Sequence, residues 1–180
     1  VINWRIIEQI TQNTKLVVEV GGGVRTKDEV ARLLALGVKR IMLGSLAVQS
    51  PEILRDLLAA FGSEKIMVDI GYKDGEVYYH GWQEKADKNF EQVLKELLAM
   101  GVRRILLTDV DKDGALEGPN FALYKRVGRN FPELLVTASG GVSSKSDLRR
   151  LKNTGVFSVV VGKAFHEGSL SLSDLQNYER

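Results

Sequence analysis

The chain has no cysteine. Disulfides, thiolate catalysis and zinc–sulfur sites are therefore excluded together. Histidine is almost as scarce: His80 and His166 are the two imidazoles, too isolated to assemble a metal centre, so no metal ligand is assigned. No apolar run approaches the roughly 20 residues that a membrane span needs, and the first residues do not read as a signal peptide. A cytoplasmic protein with no membrane partner is expected. An excess of one charge is lacking as well, because 25 basic and 23 acidic residues leave a formal net charge of +2. The nearest thing to a basic stripe, Lys125 to Arg129, is short and reads as the solvent face of a helix, so no nucleic-acid partner is expected. Linker composition is also missing. With 180 residues, 44% of them hydrophobic, the chain is expected to form a single domain over 1–180 with a substantial core.

What the sequence does contain is a repeat. Val20-Gly21-Gly22-Gly23-Val24-Arg25 ends an apolar run and opens a helix-like segment. Shifted by 118 positions, Ser139-Gly140-Gly141-Val142 falls on it. The match continues without a gap: Lys27 onto Lys145, Arg32-Leu33 onto Arg150-Leu151, Gly37-Val38 onto Gly155-Val156 and Gly44 onto Gly162. The repeat units span about 16–62 and 134–180, each a strand, glycine loop, helix, strand and glycine.

The remaining elements follow from periodicity. Ile2, Ile6, Ile7 and Ile10 place a helix within Val1 to Thr14. Strands are expected at Leu16–Val20, Ile41–Leu43, Lys65–Val68 (ending in Asp69), Arg104–Leu107, Leu134–Ala138 and Phe157–Val161. Helices are expected from Lys27 to Leu36, over Ile53–Phe61 with Ser50 as N-cap and Pro51 in the first turn, and over Phe90–Met100, Phe121–Val127 and Lys145–Lys152. Short ones follow at Ala164–Glu167 and Ser171–Tyr178. Asp74-Gly75 marks a small hairpin over Tyr72–Tyr79.

Short apolar strands alternating with helices indicate an α/β fold with a parallel sheet covered by helices. A doubly wound sheet would show one nucleotide loop near its first strand, whereas matching loops four strands apart point to a duplicated half-barrel. The expectation is a (βα)8 TIM barrel of which this chain holds strands three to eight, the first two being absent from the sequence given.

In such a barrel the carboxyl ends of the strands carry the site, and phosphate commonly sits after strands seven and eight. Glycine loops that open helices present free backbone N–H groups to an anion. Gly140, Gly141, Gly162 and Lys163 form one such seat. Gly22, Gly23, Gly44 and Ser45, with Arg25 for charge-assisted bonds, form the other. Each glycine pair alone could be a plain tight turn, but the repeat of both favours one elongated ligand with a phosphate at each end. Asp69 is a candidate general acid or base between the seats; its alternative is an N-cap or loop ion pair. Thr108 is placed in the same layer as Asp69, where it could bond a substrate hydroxyl. Trp82 could stack on a planar ring or pack peripherally. Asp109 to Gly114 imitates a calcium loop, but the twelfth position is Asn120 and not glutamate. It reads as a flexible loop after the sixth strand, with Gly114 and Gly118 allowing it to close over ligand.

The stretches VEVGGGVR, IMLGSLAV, VDIGYKDGEVYYHGW, LLTDVDKDGALEGPN, TASGGVS and VVVGKAF resemble the ribotide isomerases of histidine biosynthesis (the ProFAR isomerase family) over nearly the whole chain. The sister cyclase of that pathway shares the glycine loops but looks less similar. The resemblance implies an Amadori rearrangement, aminoaldose to aminoketose, on a small-molecule bisphosphate, with no metal or organic cofactor and in a monomeric protein. It implies Asp69 as general acid, Thr108 in support, Trp82 as the loop tryptophan, and Arg25, Gly44, Ser45, Gly141, Gly162 and Lys163 as phosphate ligands. The family's general base ends the first strand. The repeat offset puts the mate of Asp69 about 49 positions before Val1, so the chain as given is expected to hold half of the acid–base pair and could be a catalytically incomplete bisphosphate-binding fragment.

Overall fold

The computed structural model describes residues 2–176 and 178. Helix α1 (Trp4–Asn13) is followed by β1 (Glu19–Gly21), α2 (Lys27–Ala35) and β2 (Arg40–Leu43). Next come α3 (Ser45–Gln49), α4 (Pro51–Phe61), β3 (Ile66–Lys73) and the hairpin strands β4 (Glu76–Tyr79) and β5 (Glu84–Asn89). The rest is α5 (Phe90–Ala99), β6 (Arg104–Asp109), α6 (Phe121–Asn130), β7 (Leu135–Ser139), α7 (Lys145–Lys152), β8 (Ser158–Val159), α8 (Lys163–His166) and α9 (Leu172–Gln176).

Six strands pair in parallel in chain order, β1-β2-β3-β6-β7-β8. A doubly wound sheet reverses its order at a switch point. No reversal occurs here, and the sheet is an α/β half-barrel arc consistent with a (βα)8 barrel. The hairpin β4–β5 is antiparallel and pairs with the end of β3, whose Gly71 and Tyr72 are also paired in parallel with β6.

The two faces of the arc differ because side chains alternate along a strand. Ile41, Leu43, Ile66, Val68, Ile70, Ile105, Leu107, Val136 and Ala138 share one face and are almost wholly buried. They form one core with Val30, Leu33, Leu54, Leu57, Leu94, Leu97, Leu123, Leu148 and Leu151 of the helices. At roughly 1.5–3 kcal/mol for each large side chain removed from water, this face holds helices and sheet together. The opposite face is mixed, carrying Arg40, Met42, Asp69, Arg104, Thr108, Thr137 and Ser158. Thr137 and Ser158 share a 2.7 Å hydroxyl–hydroxyl hydrogen bond between β7 and β8.

The repeat is written in the backbone. Gly22 and Gly140 have φ of 84° and 99°, Gly23 and Gly141 78° and 81°. Gly44 and Gly162 share another conformation, φ/ψ of −94°/−96° and −107°/−95°. Capping boxes recur in register too: Thr26 with Glu29 opens α2, and Ser144 with Asp147 opens α7, each joining side chain and backbone reciprocally across the first turn.

Several boundaries differ from the sequence-based expectation. The first helix starts at Trp4, Val1 lying outside the described residues, and the next strand is Glu19–Gly21 and not Leu16–Val20. Ser50 precedes α4 without a side-chain capping bond. The strand expected to end at Asp69 runs on to Lys73, because β6 pairs with Ile70, Gly71 and Tyr72 and β4 supplies antiparallel partners to Gly71, Tyr72 and Lys73. Of Phe157–Val161 only Ser158 and Val159 pair as strand. The last helix ends at Gln176, and Asn177 lies outside the described residues. Among the described residues no helix is long and apolar enough to cross a membrane.

Candidate active site

A cavity of about 730 Å³ opens at the carboxyl ends of β1, β2 and β3. It gathers seven of the residues expected from sequence: Gly22, Gly23, Arg25, Gly44, Ser45, Asp69 and Trp82. The loop after β1 is open, since a Cβ on Gly22 would meet nothing within 4 Å. Glu29 anchors the end of that loop by accepting from the backbone N–H groups of Arg25 (2.8 Å) and Thr26 (3.0 Å). Those bonds, before any other influence, hold the Glu29 carboxyl below its ordinary value. They also fix Arg25, an exposed residue, at the cavity rim.

Asp69 lies on the floor. A Cβ on Gly44 would stand 3.9 Å from its Oδ2, in ordinary contact, which places the glycine after β2 beside the carboxylate. Burial alone raises the Asp69 carboxyl above its ordinary value. A carboxyl shifted in this direction holds its proton to higher pH than a free one, the direction that suits a general acid.

The hairpin forms the roof. Its turn runs through His80, Gly81 and Trp82, with φ of 56°, 65° and 66°. The His80 N–H donates to Ser45 Oγ at 3.1 Å. His80 Nδ1 lies 3.0 Å from Glu84 Oε1, and Gln49 Nε2 is 3.5 Å from Glu84 Oε2. Tyr78, Tyr79, His80 and Gln49 line the cavity but are not among the residues that the sequence singles out. Their one available hint is the Asp74-Gly75 turn, which implies a returning strand carrying them back over the sheet. Burial, ahead of the neighbouring Glu84, raises the Tyr79 phenol.

The second glycine seat is built differently. Gly140 and Gly141 are buried. A Cβ on Gly140 would lie 2.8 Å from the carbonyl of Asp109, and one on Gly141 2.4 Å from that of Gly118. The loop after β6 therefore sits on the pair, and Gly118 N–H donates to Gly141 O at 2.9 Å. Lys163 reaches the same loop, its Nζ donating to Gly114 O at 2.9 Å. The loop is also tied to β3 by Lys73 and Asp111 at 2.6 Å. Within it Asp109 is buried and accepts from Asn120 Nδ2 (2.6 Å) and Asp111 N–H (3.1 Å). The loop expected to be free is thus pinned over the glycines. Gly162 is exposed, and a Cβ on it would meet nothing within 4 Å.

Thr108 is not in the layer of Asp69. The register pairs Asp69 with Leu106 and Gly71 with Thr108, so Asp69 lies one inward-facing step deeper. Thr108 is buried, and neither it nor Gly140, Gly141, Gly162 and Lys163 lines the 730 Å³ cavity. What the cavity unites is one open glycine loop, a partly buried carboxyl and an aromatic roof.

The profile of the family described as "Histidine biosynthesis protein" matches residues 1–171. A Cytophaga hutchinsonii protein is 37% identical over 178 residues, covering 99% of this chain and 74% of its own length. Proteins of Leuconostoc mesenteroides and Streptococcus sanguinis are 34% and 38% identical, covering 99% of this chain and 75% and 74% of their own lengths. All three carry the name 1-(5-phosphoribosyl)-5-((5-phosphoribosylamino)methylideneamino) imidazole-4-carboxamide isomerase. With the family profile spanning nearly its whole length and a glycine-built half-barrel arc beneath it, the chain belongs to the histidine biosynthesis protein family.

Proposed function

We propose that this protein is an aldose–ketose isomerase of histidine biosynthesis that performs an Amadori rearrangement on the bisphosphorylated imidazole carboxamide ribotide for which its relatives are named. The observation that carries the reading is the single cavity uniting Gly22, Gly23, Arg25, Gly44 and Ser45 with Asp69 and Trp82. On this reading the six parallel strands are the third to eighth of a (βα)8 barrel. One ligand phosphate takes the backbone N–H groups of Gly22, Gly23 and Gly44, the Ser45 hydroxyl and the Arg25 guanidinium. The other takes Gly140, Gly141, Gly162 and Lys163 once the loop after β6 lifts. Asp69 gives its proton to the ribose ring oxygen, the ring opens to an iminium, and loss of the C2 proton to a base leads to the aminoketose. Thr108 supports the opened sugar through its hydroxyl. Trp82 stacks on the planar ring of the ligand. No cofactor enters these steps.

The test is turnover of the ribotide by Asp69→Asn. Removing the general acid lowers kcat by about 10²- to 10⁴-fold while ligand affinity persists, because the phosphate seats are untouched. Unchanged turnover would sink the assignment. A second reading, bisphosphate binding without turnover, is favoured by one observation: Asp69 is the one carboxylate lining the cavity among the described residues, and ring opening followed by deprotonation calls for an acid and a base. Tight binding of the ribotide with no conversion by the unmodified protein supports that reading over the first.

A further inference from the structure

We infer that Gly71 is a positioning residue, its missing side chain being the seat that holds the Trp82 ring over the Asp69 end of the cavity. The geometry stands without the isomerase reading; its consequence for turnover rests on that reading.

Gly71 follows Asp69 by two residues on β3, so the two positions share a face of the sheet. It is buried, and its φ is outside the left-handed region, so the backbone alone does not call for glycine here. Space does. A Cβ at Gly71 would stand 2.6 Å from Trp82 Cδ1 and 2.9 Å from Trp82 Nε1, distances at which the ring must leave. The ring reaches this seat through a costly turn, because His80 and Trp82 both hold positive φ, a conformation that non-glycine residues keep only where the surroundings impose it. The His80 bonds to Ser45 and Glu84 are exposed and individually weak. The seat on Gly71 lets the ring lie directly against the β3 backbone. Trp82 stays 39% exposed, leaving ring surface for a planar group of a ligand lying above Asp69.

Trp4 and Trp82 are the two tryptophans, and Trp4 lies on α1 under the Arg32 guanidinium, so Trp4→Phe makes the fluorescence report on Trp82. In that background Gly71→Ala is expected to red-shift the ligand-free emission and steepen acrylamide quenching. With the ribotide as substrate, it is expected to lower kcat/KM by about 10²-fold, chiefly through KM, as displacement of a positioning group does. Unchanged emission and quenching in a folded Gly71→Ala protein would overturn the inference. The same Cβ would also stand 2.9 Å from the Tyr78 carbonyl, so Gly71→Ala is repeated in Trp82→Ala. If the ring is what the seat serves, Gly71→Ala leaves folding and KM of Trp82→Ala unchanged. An equal loss of folding or KM in that background would place the conflict at the hairpin backbone and overturn the proposal. The fluorescence arm needs no substrate, so it decides the seat even where Asp69→Asn refutes the isomerase assignment.

Discussion

At Asp69, burial acts on a carboxylate that has no compensating cation. The folded protein therefore holds this proton at a pH where the unfolded chain, near the ordinary value of 3.8, has lost it. The sign follows from linkage: stability falls as pH rises from the unfolded value through the raised folded one, because burial disfavours the ionised carboxylate. Asp69→Asn is expected to be the more stable protein at pH 7 while losing turnover, with the stability gap closing in urea titrations taken toward pH 4. Tyr124 is the opposite kind of buried polar group, fully partnered. Its hydroxyl donates to Ser139 O at 2.7 Å and lies 3.3 Å from Leu107 O, joining α6 to the ends of β6 and β7. Burial is the main reason its phenol is raised well above the ordinary value. Tyr124→Phe is expected to cost about 1–3 kcal/mol in denaturant unfolding, the cost of an unsatisfied buried acceptor, without a change in ligand affinity at the Gly22 seat.

At the scale of elements, the repeat and its helices are legible in the sequence because they are local. Glycine conformation and the 3.6-residue apolar period are properties of consecutive residues, and the structure returns both at the expected positions, Lys145–Lys152 to the residue. The capping boxes belong to the same class. Ser144→Ala is expected to destabilise by about 1 kcal/mol, measured by thermal or urea unfolding. Strand β5 is not legible. Glu84–Asn89 is charged and polar, with Ala86 its one buried residue, and it is a strand because β4 offers it backbone partners. The extent of β3 is hidden for the same reason: its apolar run stops at Asp69, but cross-strand pairing does not. The covering of Gly140 and Gly141 is likewise a contact between segments far apart in sequence. Gly141→Ala combines a φ of 81° with a 2.4 Å approach to Gly118 O. It is expected to dislodge the loop over 110–118, seen as faster proteolytic cleavage there, since loops cut readily once released from their contacts.

Across the whole molecule, one buried core on the helical face contrasts with apolar residues left outside it. Leu16 and Val17, just before β1, are 69% and 72% exposed, and Val160, just after β8, is 41% exposed. Among the described residues β1 and β8 are the two ends of the sheet order, and exposed apolar residues beside them favour association. Val17→Lys combined with Val160→Lys is expected to reduce concentration-dependent light scattering while leaving the circular dichroism spectrum unchanged. The carboxyl-terminal end of the fold depends on charge. Lys145 Nζ lies 2.5 Å from Asp174 Oδ1 and, ahead of hydrogen bonds from Ser171, holds the Asp174 carboxyl down to about 2. That contribution is present above the unfolded value of 3.8 and is lost as pH falls through about 2. Release of α9 from α7 on acidification is the expected outcome, read by hydrogen exchange, and Asp174→Asn abolishes its pH dependence.

The two glycine seats share backbone angles yet differ in cover, one open to the cavity and the other under the loop after β6. A ligand with a phosphate at each end is nearly palindromic, and two identical seats would accept it in either sense. On the proposed reading, a covered seat beside an open one makes the two ends of such a ligand inequivalent. The shared angles come from the duplicated glycines, and the cover of the second seat comes from the contacts that the segment 110–118 makes with Gly140 and Gly141.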